Sequence, residues 1–171
     1  FVMDGYYKNE KMTNSTLIDG WLHTGDKGYL DDENYLYITG RVADSFKTSK
    51  GEFIEPLTLE NYFGTIKELQ EVCITGLGLP QPIALSQISE IGYAIPKEEL
   101  IELLEKKLKE INLDLENYKK ISTIVLVKGQ WTEQNKILGP TLKLKRGNVE
   151  KMYSAKYKGW HEDQKTVLFE K

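Results

Sequence analysis

The seven residues Gly76-Leu77-Gly78-Leu79-Pro80-Gln81-Pro82 constrain this chain more than any other stretch. Glycines and prolines packed so closely interrupt both helix and ladder hydrogen bonding, so the segment is a loop. Its flanks, residues 69–75 and 83–89, are β-prone and read as two strands of an antiparallel unit. After them comes a helix over 96–111: Pro96 opens it, and Glu98 and Glu99 sit where the helix dipole favours negative charge. Its apolar stripe is Leu100, Leu104, Leu108 and Ile111, with Ile101 beside them. Residues 121–127 form a β-branched run and the next strand, and 149–157 read as a terminal helix.

Upstream of the loop, Pro56 is placed as the first residue of a helix, with Leu59, Tyr62 and Phe63 at helical spacing and Gly64 to stop it. Further back, the turn formers Asp31-Asp32-Glu33-Asn34 separate Tyr29-Leu30 from residues 35–39, which predicts a hairpin ending at Arg41. A polar Asn14-Ser15-Thr16 cluster suits the cap of a short turn before Leu17. The predicted fold class is α+β (α/β): a small mixed sheet flanked by helices and preceded by a β-hairpin strip. Residues 1–41 are expected to be the edge of one domain and 42–171 a second domain.

Composition removes several function classes. A net charge of −3 and a pI near 5.6 argue against a nucleic-acid partner. An anionic ligand must therefore be held locally. No apolar run approaches the ~20 residues of a membrane-spanning helix. Cys73, the single cysteine, lies in a predicted strand and reads as a buried structural thiol rather than a nucleophile, which fits a reducing compartment. No ligand spacing for a structural metal is present. Because Phe1 and Met3 sit in sequence with a mid-domain character, the chain is expected to be a piece of something longer.

The chemistry concentrates between Asp19 and Pro56. Thr24-Gly25-Asp26 puts a carboxylate on a glycine turn; the hairpin leads to Arg41; and a polar, glycine-bearing loop follows from Lys47 to Gly51. A carboxylate can accept hydrogen bonds from two neighbouring ribose hydroxyls, and a guanidinium adds planar donors to the same oxygens or to a phosphate. Gly25 lets the backbone approach a ligand. A simple turn is the alternative, since Gly and Asp favour turns on backbone grounds alone. Of 23 Lys plus Arg, only Arg41 and Arg146 are arginine, and each falls inside a motif where a fixed fork of donors has a use.

A second cluster runs from Trp131 to Arg146. A Pro140-Thr141 turn leads into alternating apolar and basic residues, which places Lys143 and Lys145 on one face if the segment is extended. Such ammonium groups can neutralise an approaching carboxylate and phosphate. The alternative is a solvated lysine edge that resists aggregation.

With these motifs in hand, the whole chain resembles the C-terminal third of an adenylate-forming enzyme. This superfamily contains acyl-CoA synthetases, firefly luciferase and nonribosomal peptide adenylation domains. Three stretches carry the resemblance in matching order: Val2 to Asn9; Gly20-Trp21-Leu22-His23-Thr24-Gly25-Asp26 with Gly40-Arg41 to Pro56; and Pro140-Thr141-Leu142-Lys143-Leu144-Lys145-Arg146. The form of residues 50–56 and the ending at 140–146 look most like the long-chain fatty acyl-CoA synthetase branch.

The resemblance implies roles residue by residue. Thr24, Asp26 and Arg41 match the nucleotide-binding positions, with Asp26 on the ribose hydroxyls. Lys143 matches the lysine that reaches the acyl carboxylate and α-phosphate during adenylation, with Lys145 as its rival. Val42, Ala43 and Asp44 match the hinge about which the C-terminal domain turns between half-reactions, although relatives commonly carry a charged residue where this chain has Ala43. Ser49, Lys50, Gly51 and Glu52 match the loop that turns toward the site of CoA attack.

The implied substrates are a fatty acid, ATP with Mg²⁺, and CoA; the implied partner is the protein's own N-terminal domain, which supplies most ATP and Mg²⁺ contacts. Alone, the fragment is expected to be inactive. An amino- or aryl-acid adenylation domain and a non-catalytic binding module are the rival readings. The expected location is cytoplasmic, with peripheral membrane association compatible with oily substrates, although no amphipathic basic helix argues for it.

Overall fold

A computed structural model describes residues 2–170 and separates the chain into one unit ending at Ala43 and a second beginning at Asp44. In the first unit, helix α1 (Glu10–Thr16) starts where the Asn9 side chain accepts a hydrogen bond from the Met12 N–H at 3.1 Å. Asn14-Ser15-Thr16, expected to cap a turn, lies inside this helix, because Asn9 already supplies the capping oxygen. Strands β1 (Leu17–Ile18) and β2 (Trp21–Leu22) pair across Asp19 and Gly20, both in left-handed conformation.

The expected hairpin follows as β3 (Asp26–Leu30) and β4 (Leu36–Arg41), paired antiparallel. Its turn is held by Asp31 Oδ1, which accepts from the N–H groups of Glu33 and Tyr35 at 3.0 and 2.8 Å. Tyr29 and Tyr37 stack across the strands with ring centroids 5.2 Å apart. A 3₁₀ turn spans Val42–Asp44.

The second unit opens with a small hairpin, β5 (Phe46–Lys47) and β6 (Phe53–Ile54), then α2 (Pro56–Glu60) and a 3₁₀ turn, Asn61–Thr65. After these come β7 (Leu69–Thr75), β8 (Ile83–Ile88), α3 (Glu90–Tyr93), α4 (Lys97–Leu113), β9 (Ile124–Leu126), α5 (Arg146–Glu162) and β10 (Val167–Phe169). The four longer-range strands form one mixed sheet in the order β10-β9-β8-β7. β7 and β8 are antiparallel, as the Gly/Pro loop dictates, while β8–β9 and β9–β10 are parallel.

Strand periodicity splits the core in two. Ile74, Ala84, Ile124, Leu126 and Val167 face Leu59 of α2 and Leu100, Leu104 and Leu108 of α4. Cys73, Leu85, Val125 and Leu168 face Val149, Tyr153, Tyr157 and Trp160 of α5. Helices thus cover both sheet faces, and the α+β architecture follows.

Several elements are shorter or longer than expected. Pro96 is the residue before α4 rather than its first, and α5 starts at Arg146 and runs on to Glu162. Only Ile124–Leu126 of the 121–127 run joins the sheet. β10 carries no periodic signal of its own; it forms because its three residues complete a ladder with β9. No helix among the described residues is long and apolar enough to cross a membrane.

Leu104 is fully buried and Leu113 is 76% exposed on the same helix. Leu104→Ala is therefore expected to destabilise the protein by about 2–5 kcal/mol, and Leu113→Ala to change stability by under about 0.5 kcal/mol. Urea unfolding of the two variants measures the contrast; equal losses would refute this assignment of the core.

Candidate functional site

The first candidate cluster is built by hairpin register. Gly25 takes a φ of +76°, which turns the chain so that Asp26 enters β3 opposite Arg41, the last residue of β4. The Asp26 N–H donates to Thr24 Oγ1 at 3.1 Å, and the Val42 N–H donates to the Gly25 carbonyl at 2.9 Å. Arg41 Nε lies 3.2 Å from Asp26 Oδ1, and Arg41 Nη2 donates to the Thr24 carbonyl at 3.1 Å. Thr24, Asp26 and Arg41 are thus brought together at the open end of one hairpin.

The Asp26 and Arg41 side chains are 38% and 61% exposed, so their pairing contributes at most about 1 kcal/mol. A weak, solvated pair can give up contacts to an incoming ligand. The carboxylate also keeps acceptor positions beyond the one that Arg41 uses.

The second cluster lies in the other unit. Ser49, Lys50, Gly51 and Glu52 form the exposed tip between β5 and β6. Buried Thr48 holds that tip: its N–H donates to the Glu52 carbonyl at 2.9 Å, and its hydroxyl accepts from the Glu52 N–H at 3.2 Å. Gly51 takes φ +90° to close the turn. A second loop braces it, since the Ser49 N–H donates to the Leu79 carbonyl at 2.9 Å.

Lys143 stands on a separate braced loop. Left-handed Leu142 (φ +58°) ends any longer extended run, and Leu144 bridges to Leu138. Lys143 and Lys145 flank the half-buried Leu144 and are both exposed. The Gly139 N–H donates to the Lys143 carbonyl at 2.8 Å, and the Lys145 N–H to the Ile137 carbonyl at 2.7 Å. The Trp131 indole N–H, buried at the loop's root, donates to the Tyr153 hydroxyl at 3.2 Å.

Arg146 is the residue whose partners sequence reasoning missed. Its guanidinium grips both carboxylate oxygens of Glu60, donates to the Ile74 carbonyl at 3.0 Å, and lies with Nε 3.5 Å from Asp44 Oδ2. Glu60 also accepts from the Ile74 N–H at 2.8 Å, which closes a ring between α2, β7 and α5. Burial opposes the Arg146 charge, but Cys73, Glu60 and Asp44 around it outweigh burial and raise its pKa. An acidic residue at the end of α2 in an arginine-poor chain was the available signal for Glu60.

Neither histidine joins these groups. The His23 N–H donates to the Thr16 carbonyl at 2.8 Å, and His161 is half-buried with Nδ1 3.4 Å from Ser122 Oγ. Among the described residues, no set of three or more His, Cys, Asp or Glu side chains is arranged to hold a metal ion.

Cys73 is buried beside Arg146 and reads as structural. Burial pushes its thiol from 9.0 up to about 12, against the pull of the Arg146 guanidinium. The folded state therefore keeps a proton that the unfolded state releases. The stability this contributes is fully present below pH 9 and is lost as pH rises toward 12. Cys73→Ala is expected to flatten that part of the pH–stability curve, and the native thiol to resist alkylation at pH 7.5. Rapid labelling of folded protein would contradict the assignment.

The chain is similar to several known proteins. The family model described as AMP-binding enzyme C-terminal domain matches residues 43–164. Long-chain-fatty-acid–CoA ligase 5 of Mus musculus is 31% identical over 94% of this chain and 26% of its own length. The 2-succinylbenzoate–CoA ligase of Bacillus cytotoxicus is 36% identical over 63% of this chain and 22% of its own. The A-PCP didomain of carboxylic acid reductase from Segniliparus rugosus, solved in complex with AMP, has a TM-score of 0.79. It covers 94% of this chain and 23% of its own, and at 22% identity it shows a shared fold. The chain thus spans about a quarter of the length of these proteins.

Proposed function

The chain belongs to the AMP-binding enzyme C-terminal domain family of adenylate-forming enzymes, and from that premise we propose that it is the C-terminal part of a long-chain fatty acid–CoA ligase. The whole enzyme joins a fatty acid to ATP, releasing pyrophosphate, and CoA then displaces AMP from the acyl-adenylate. The single observation that carries the reading is the Asp26–Arg41 pair beside left-handed Gly25. It presents an ionised acceptor and a fork of donors at one exposed edge, which suits a vicinal diol next to a phosphate.

Asp26 holds the ribose hydroxyls, with Arg41 and Thr24 orienting it. Lys143 brings its ammonium to the acyl carboxylate and α-phosphate, stabilising charge that develops as the two anions meet. The three-residue step from Lys143 to Arg146 supports that role over Lys145, which is equally exposed on the same loop. Val42, Ala43 and Asp44 act as the pivot; the break between the two units after Ala43 supports this. Residues 1–41 then belong with the N-terminal domain and 42–171 turn as the C-terminal domain. Ser49 to Glu52 face the CoA side after rotation. The Mg²⁺ that accompanies ATP would be held mainly by the N-terminal domain.

Identity with the mouse long-chain ligase over nearly the whole chain supports the fatty acid. A second reading, an aryl acid as substrate, is favoured by the higher local identity with the 2-succinylbenzoate ligase.

In the full-length protein, Lys143→Ala is expected to lower pyrophosphate release about 10²–10³-fold. Thioester formation from supplied acyl-adenylate should fall no more than about threefold, because the lysine is not needed there. Undiminished adenylation by this variant would remove Lys143 from the mechanism.

A further inference from the structure

We infer that Arg146 is a positioning residue for Lys143, and that the Glu60–Arg146–Asp44 cluster fixes where the adenylation lysine stands. The guanidinium is not free to meet a ligand. Its donors are committed to Glu60, to the Ile74 carbonyl and to Asp44, and its side chain is only 19% exposed. What it does instead is anchor the first residue of α5. That helix has no side-chain cap at Lys145, so the Arg146 side chain holds the start of α5 to α2 and β7.

Lys143 lies three residues before that anchor, and the intervening backbone is pinned. Lys145 N–H is bonded to Ile137, Leu144 bridges to Leu138, and the Lys143 carbonyl receives the Gly139 N–H. Displacement of Arg146 must therefore carry through to the Lys143 Cα. Asp44, the first residue of the second unit, sits on the same guanidinium and so ties the point where the chain enters this unit to the lysine loop. A half-buried ion pair of this kind adds little net stability over a packed apolar replacement, whereas its geometry fixes position.

The inference rests on Lys143 as the adenylation lysine, so Lys143→Ala is measured beside the other variants in the full-length protein. Arg146→Ala is expected to lower pyrophosphate release about tenfold, while thioester formation from supplied acyl-adenylate stays within about twofold. A group serving stability alone would lower both half-reactions together, in step with the unfolding midpoint. Arg146→Lys keeps the charge but cannot reach three partners at once, and should recover stability more than adenylation.

Should Arg146→Ala fail to fold, Glu60→Gln keeps the shape of the partner while removing its charge and is expected to show the same selectivity at about threefold. Equal loss in both half-reactions, or none in adenylation, from a folded variant overturns the inference and leaves Lys143 in its role. A Lys143→Ala protein that adenylates at full rate overturns the functional reading itself.

Discussion

The grip of Arg146 on Glu60 is the constraint on which the second unit depends. Bidentate guanidinium–carboxylate pairing is directional, and here it is closed at Ile74, whose carbonyl accepts from Arg146 and whose N–H donates to Glu60. The side chains are 19% and 14% exposed, so removing either partner would strand a charge away from water. Three elements far apart in sequence are thereby locked at one point: the end of α2, the end of β7 and the start of α5.

Much of the fold was legible because strong local signals agreed with one another. The Gly/Pro loop at 76–82 dictated an antiparallel pair, Pro56 and Pro96 marked helix starts, and Leu100, Leu104 and Leu108 formed the stripe that the sheet buries. What escaped were elements that exist only through partners. β5, β6 and β10 are two or three residues long, too short for periodicity, and are held by ladders whose other strand is remote or by tight turns. The Asn14-Ser15-Thr16 cluster misled because three polar residues suit a cap as well as a helix surface, and Asn9 took the role.

The site divides in the same way. Asp26 and Arg41 were legible as a pair because a hairpin between them was predicted, and its register sets them opposite one another. The partners of Arg146 were not, since nothing in a one-dimensional pattern says that the last residue of α2 meets the first residue of α5. A lysine-rich, arginine-poor composition did mark both places where a fork of donors is used: one holds an exposed carboxylate, the other organises the interior. With a net charge of −3, the chain has no basic excess to draw anions at long range, so a phosphate would have to be met by individual groups.

The most direct test of the central claim is pyrophosphate release across a panel of fatty, aryl and amino acids, run on the full-length protein and on this chain alone. Half an adenylation site predicts release by the full-length protein with long-chain fatty acids, followed by consumption of the adenylate when CoA is added, and none by the chain alone. Release by the isolated chain, or no release with any carboxylate from folded full-length protein, would contradict it.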